Sequence, residues 1–154
     1  MRCYLDHGGI DYKCTENELN MATSKVEYLG GLRTKATHLK SGSEIVTDAP
    51  VDNNGKGEAF SPTDLMATAY ASCLLTIIGI FCANHDLTFE HGDAEITKVM
   101  GTEPRRISKL EINLDLSKNG WDENTQERVR RAGEGCPVAK SVDPEMEIVL
   151  KYQF

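Results

Sequence analysis

Hydrophobic and polar positions change period several times along the chain, and each change marks a predicted element. Lys25 to Leu39 suits a strand or hairpin interrupted at Gly30-Gly31, and Glu44 to Thr47 a second short strand. The Pro-, Asn- and Gly-rich stretch DAPVDNNGKGEAFSP follows as a loop, longer than most connections, as functional or mobile segments are. Leu65 to Ala83 then carries no charge at all. Ser61 before it, Pro62 and Asp64 spell an N-cap, a first-turn proline and an S-x-x-D capping box, so the spacing predicts a helix to about Asn84. Leu87 to Met100 and Arg106 to Leu116 read as strands. In the second, Leu110, Ile112, Leu114 and Leu116 alternate with polar residues, the pattern of a half-buried strand.

A second helix is expected from about Asp122, with Trp121 as a hydrophobic staple, to the glycines at 133 and 135. A short third helix is expected at Cys136-Pro137, and Met146 to Phe154 reads as a final strand. This order of elements predicts an α+β domain with mostly antiparallel sheet. Residues 1–22 show no sustained period and stand as an N-terminal extension; one domain over 23–154 suits a chain of 154 residues.

The charge of −7 argues against phosphate backbones and anionic membrane surfaces as partners, so neither nucleic acid nor membrane docking is expected. The charge-free helix has the length of a membrane span, but it contains Thr68, Tyr70, Ser72, Cys73 and Thr76 and lacks a flanking basic cluster. It reads as a helix buried on nearly all sides, in a core or at a subunit interface. No basic patch leads into an apolar run at the N-terminus, and five irregularly spaced cysteines do not form a secreted disulfide framework. A reducing cytoplasm is expected. Cys3, His7 and Cys14 match no zinc spacing, and neither a metal nor a G-x-G-x-x-G cofactor loop is expected.

Two thiols stand out. Cys73 lies about three turns into the apolar helix, where burial alone makes a thiol inert unless a positive charge is brought to it. Cys136, in GEGCPVAKSV, occupies the expected N-cap position, where unpaired N–H groups favour a thiolate. Each also has a plain reading as a small buried residue. Cys82, two and a half turns beyond Cys73, falls on the opposite face and reads as core.

The segment SPTDLMATAYASC, followed some sixty residues later by GCPVAKSV, resembles the OsmC/Ohr family of thiol-dependent hydroperoxide reductases. The likeness extends upstream to LGGLRTKATHLKSG and TDAPVDNNGKGEAF and covers about 25–154. It implies an α+β OsmC-like fold with antiparallel sheets around a long buried central helix, in an intertwined homodimer with sites at the subunit interface. Cys73 is then the peroxidatic thiol and Cys136 the resolving thiol, with no cofactor, a hydroperoxide as substrate and a dithiol as reductant.

The family activates its first thiol with an arginine held by a glutamate, and Arg33 best matches that arginine. The glutamate directly follows the helix-opening proline in the peroxidase branches; here that residue is Thr63. Asp64 and Glu58 are the carboxylates that stand nearest to the role. Phe60, Leu65, Met66 and Tyr70 are candidate walls of an alkyl pocket, and His38 lies close to Arg33 in sequence. Two other readings stay open: a redox sensor or disulfide exchanger acting on a protein, and a binding module that kept the fold after losing the arginine–carboxylate pair.

Overall fold

The computed structural model describes residues 22–154; the expected extension, with Cys3, His7 and Cys14, lies outside them. The chain divides between Phe60 and Ser61 into two compact units. In the first, strands β1 (Ser24–Gly30), β2 (Arg33–His38) and β3 (Glu44–Asp48) form an antiparallel sheet in that order. The β1–β2 turn passes through Gly30 and Gly31 at φ 84° and 59°, a left-handed backbone that glycine adopts without strain.

Register then sorts the side chains. Val26, Tyr28, Thr34, Ala36, Ile45 and Thr47 share one face, while Lys25, Glu27, Arg33, Lys35, Glu44 and Asp48 share the other. Lys35 ties the charged face together, with its Nζ 3.1 Å from Glu44 and 3.8 Å from Glu27. Three residues of the apolar face are uncovered, Val26, Tyr28 and Ile45, at 61%, 68% and 48% exposed.

The second unit holds α1 (Pro62–Ala83), β4 (Asp93–Thr102), β5 (Arg105–Asp115), α2 (Glu123–Glu134) and β6 (Glu147–Gln153). The expected capping box is present at its start. Asp64 N–H donates to Ser61 Oγ at 3.1 Å, and Ser61 N–H donates to Asp64 Oδ2 at 2.8 Å. Ala67, Tyr70, Ala71, Leu74, Ile78 and Cys82 form the buried face of α1, which packs on α2, β4 and β5. By length and composition α1 has the character of a membrane span; in this fold its buried face belongs to the core.

The sheet runs β4-β5-β6, with β4 and β5 antiparallel and β6 parallel to β5. The alternation in β5 has the expected outcome, since Leu110, Ile112, Leu114 and Leu116 are all fully buried. The helix-and-sheet content is that of an α+β fold, as the sequence predicts.

Two elements differ from expectation. Residues 87–92 precede β4 without joining it, because side chains take their backbone groups. Trp121 Nε1 donates to Thr88 O at 3.1 Å, Asn119 Nδ2 to His91 O at 2.7 Å, and Glu90 N–H donates to Asn119 Oδ1 at 3.4 Å. The segment after Cys136 is a turn and a single 3-10 turn, Ala139–Ser141, in place of the expected third helix.

Candidate functional site

Residues that could carry chemistry gather in three places, two in the second unit and one in the first. In the second unit, Cys73 sits half-buried on α1 and Cys136 fully buried just after α2. The two lie near enough for Cys73 to act on the ionisation of Cys136. The Cys136 N–H donates to Gly133 O at 3.1 Å, and its Sγ accepts from Ala139 N–H at 3.3 Å.

The sequence places Cys136 at a helix N-terminus that lowers its pKa; the structure overturns that balance. The Ala139 and Val138 N–H groups do favour the thiolate, but burial outweighs them and, with Cys73 adding to it, pushes the Cys136 thiol up. At neutral pH Cys136 is therefore a protonated thiol. In a Cys73→Ser chain, alkylation of Cys136 by iodoacetamide should be slow at pH 7 and quicken as pH rises beyond the ordinary thiol value of about 8.5. Peptide mapping across pH 6–10 separates this from the other cysteines; fast alkylation at pH 7 would contradict it.

Tyr70 lies one turn before Cys73 and is 4% exposed; burial raises its phenol, with Cys136, Cys73 and Glu134 adding to the shift. The sequence reading missed Tyr152, at the end of β6. Its hydroxyl is buried without a hydrogen-bond partner, and burial pushes it up to about 12, helped by Glu134 and opposed by Arg130. Both phenols stay protonated at neutral pH, so each keeps an O–H that can donate a hydrogen bond. Gly133 admits the Tyr152 hydroxyl, since a Cβ there would lie 3.3 Å from it and 3.4 Å from Ile78. No motif marks Tyr152; only the parallel β5–β6 register, with Leu114 opposite Tyr152, brings it here. Met66 packs against the core, and Leu65 is half-buried. Cys82 is buried in the core, as expected, and burial raises its thiol.

At the start of α1, the Asp64 carboxylate is taken up by its own cap and by Lys98 of β4, whose Nζ lies 2.9 Å from Asp64 Oδ1. Lys98 also donates to Thr63 Oγ1 at 2.7 Å and to Ser61 Oγ at 3.3 Å. An ammonium thus faces Thr63, the position where the resemblance leads one to look for a carboxylate. Ser61 and Lys98 hold Asp64 below the usual carboxylate range against the opposing effect of burial, which is the largest single influence on it.

In the first unit, Arg33 opens β2 directly opposite Asp48 at the end of β3. Its Nη2 donates to Asp48 Oδ2 at 3.3 Å and also to Glu58 Oε2, so Glu58 pairs with Arg33, while Asp64 is engaged elsewhere. Asp48, which sequence reasoning passed over, is fully buried and accepts from the Glu58 N–H at 2.9 Å. That N–H and the guanidinium hold its carboxyl below the usual range, and the Asp48 hydrogen bond in turn raises Arg33. Phe60, at the end of this unit, is exposed. So is His38, whose Nδ1 lies 2.7 Å from Ser41 Oγ. Among the described residues no group of three metal-ligating side chains occurs.

A family model described as OsmC-like protein matches residues 55–151. Among solved structures, an osmotic stress induced and detoxification response protein from Psychrobacter arcticus 273-4 is 49% identical, with TM-score 0.83 and 87% of this chain and 97% of that one covered. The organic hydroperoxide resistance protein OsmC from Legionella pneumophila superposes with TM-score 0.67 at 19% identity, covering 87% and 98%. OhrB of Bacillus subtilis does so with TM-score 0.61 at 18%, covering 86% and 98%. The latter two show likeness of fold. Among proteins with curated descriptions none matches.

Proposed function

Because the chain belongs to the OsmC family, we propose that it serves oxidative-stress defence by reducing organic hydroperoxides with a pair of thiols. The observation that carries this reading is the placement of Cys73 and Cys136 in the same core, near enough for Cys73 to raise the Cys136 thiol. The more accessible Cys73 attacks the distal oxygen of ROOH as thiolate; the O–O bond breaks, ROH leaves with a proton, and Cys73 becomes a sulfenic acid. The buried Cys136 thiol then attacks that sulfur. The S–S bond forms, and the sulfenic oxygen leaves as water with the Cys136 proton. A dithiol returns both cysteines to thiols by exchange and is itself oxidised to a disulfide, chemistry that suits a reducing cytoplasm.

Arg33 is the cation assigned to the Cys73 thiolate and to the alkoxide that leaves it. The buried, protonated hydroxyls of Tyr70 and Tyr152 lie near enough to Cys136 to feel its charge and could donate to an oxygen held there. A homodimer is part of the reading: the apolar sheet face of Val26, Tyr28 and Ile45 is a surface that a second copy would cover.

The test is peptide mapping after one equivalent of cumene hydroperoxide is added to the reduced chain, with hydrogen peroxide in parallel. A Cys73–Cys136 disulfide that forms within seconds, faster with the organic peroxide, is expected. Both thiols still reduced after minutes would overturn the proposal. A slow but freely reversible disulfide would mark the sensor or disulfide exchanger instead. The binding-module reading supposes the arginine–carboxylate pair lost, and the pairing of Arg33 with Asp48 and Glu58 favours the peroxidase reading over it.

A further inference from the structure

The arginine of the first unit is held in a way the family resemblance does not supply. We propose that Asp48 is the positioning residue of Arg33: it takes the place of the absent glutamate at Thr63 and fixes the guanidinium in the orientation that serves the Cys73 reaction. The inference rests on the role given to Arg33 above.

Three observations carry it. Asp48 stands directly across from Arg33 in the β2–β3 register, so backbone pairing sets the spacing between the two side chains. Its carboxylate is fully buried, and the Glu58 N–H fixes Oδ2, the same oxygen that Arg33 Nη2 reaches. The Asp48 N–H donates to Phe60 O at 3.1 Å and the Gly57 N–H to Ala49 O at 3.2 Å, so the loop is tied back on both sides of the carboxylate. An acceptor anchored this way has little freedom to follow the arginine, so the arginine must conform to it.

Glu58 differs, because its side chain is 58% exposed and solvent competes for it. Both carboxylates bind the same nitrogen, Nη2, and neither engages Nη1. Nε is buried with no hydrogen-bond partner. A guanidinium clamped through one nitrogen keeps its other N–H groups for an oxyanion or a thiolate. The helix start offers no substitute, since Thr63 meets Lys98 and Asp64 is occupied.

A double-mutant cycle tests this. Turnover of cumene hydroperoxide and the rate of disulfide formation are measured for the parent, Arg33→Ala, Asp48→Asn, the double variant and Glu58→Gln, with a thermal midpoint for each. A misplacement of about 1 Å costs on the order of a hundredfold in rate. Asp48→Asn, which keeps an acceptor for the Glu58 N–H, is therefore expected to lose about ten- to a hundredfold, and Glu58→Gln clearly less. The double variant should be no slower than Arg33→Ala alone, because Asp48 acts only through the arginine.

Asp48→Asn at the parent rate while Arg33→Ala is slow overturns the proposal, as do losses that multiply in the double variant. Arg33→Ala at the parent rate overturns the role of Arg33 itself and, with it, this inference. If Asp48→Asn does not fold, Asp48→Glu replaces it, keeping the charge but shifting it by one methylene. The same non-additive loss supports positioning, and the parent rate refutes it.

Discussion

Cys73→Ser is expected to bring organic hydroperoxide reduction down to the uncatalysed background, while Cys136→Ser still consumes one equivalent of peroxide per chain. The asymmetry follows from where the two thiols sit. Cys73 is the more accessible of the pair, whereas Cys136 is fully buried and burial keeps it protonated. A serine hydroxyl at position 73 is a far poorer nucleophile than a thiolate and forms no sulfenic acid. With Cys136 replaced, the first step proceeds but no thiol stands against Cys73 to close the disulfide. A sulfenic acid should then persist and be trapped by dimedone at Cys73. Turnover retained in Cys73→Ser, or dimedone labelling at Cys136 in the parent, would be incompatible with these roles.

The second large effect concerns stability. Leu74 is fully buried on α1, next in sequence to Cys73, within a core that includes Leu110 and Ile112 of β5. Leu74→Ala removes methyl groups from a packed site that relaxes only in part, a change that costs about 2–5 kcal/mol. For a chain of this length that corresponds to a fall in Tm of roughly 5–20 °C. Denaturant titration at one protein concentration should give a lower midpoint with an unchanged m value, because the surface exposed on unfolding stays nearly the same. A midpoint within 0.5 M of the parent in urea would mean that the helices close the cavity. Peroxide-driven disulfide formation measured well below the new midpoint should survive, which separates this loss from the chemical one.

What the sequence revealed and what it hid divide along a physical line. The limits of α1 were legible because Ser61, Pro62 and Asp64 act on one another within a single turn. The burial of β5 was legible because a period of two is a local pattern. Residues 87–92 were misread as strand since their hydrogen-bond partners are side chains some thirty residues away, Asn119 and Trp121. The ionisation of Cys136 was misjudged for a similar reason: the N–H groups near it are local, but the burial that outweighs them comes from the rest of the core.

The same line runs through the charged residues. Cys73, Cys136 and Arg33 stand out in the sequence through motifs, and Glu58 through its place close to the helix. Asp48 escaped notice because nothing local distinguishes it; its meaning comes from the β2–β3 register, which sets it opposite Arg33. Lys98 escaped likewise, being thirty-five residues from the threonine it meets.

The parallel pairing of β6 with β5 bears on the order in which the molecule assembles. A hairpin partner is brought alongside by its own turn, but a parallel partner returns only after a crossover, here the stretch that carries α2 and Cys136. Until Glu147–Gln153 dock, one edge of the central strand β5 stays open to any strand of another chain. The crossover is also tethered at one end only, and Tyr152 has not yet reached Gly133. A growing polypeptide therefore presents Cys73 to oxidants before Cys136 is fixed beside it. Under the proposed thiol chemistry, Cys136 could resolve Cys73 only in the finished sheet, so the docking of β6 would precede a complete thiol pair.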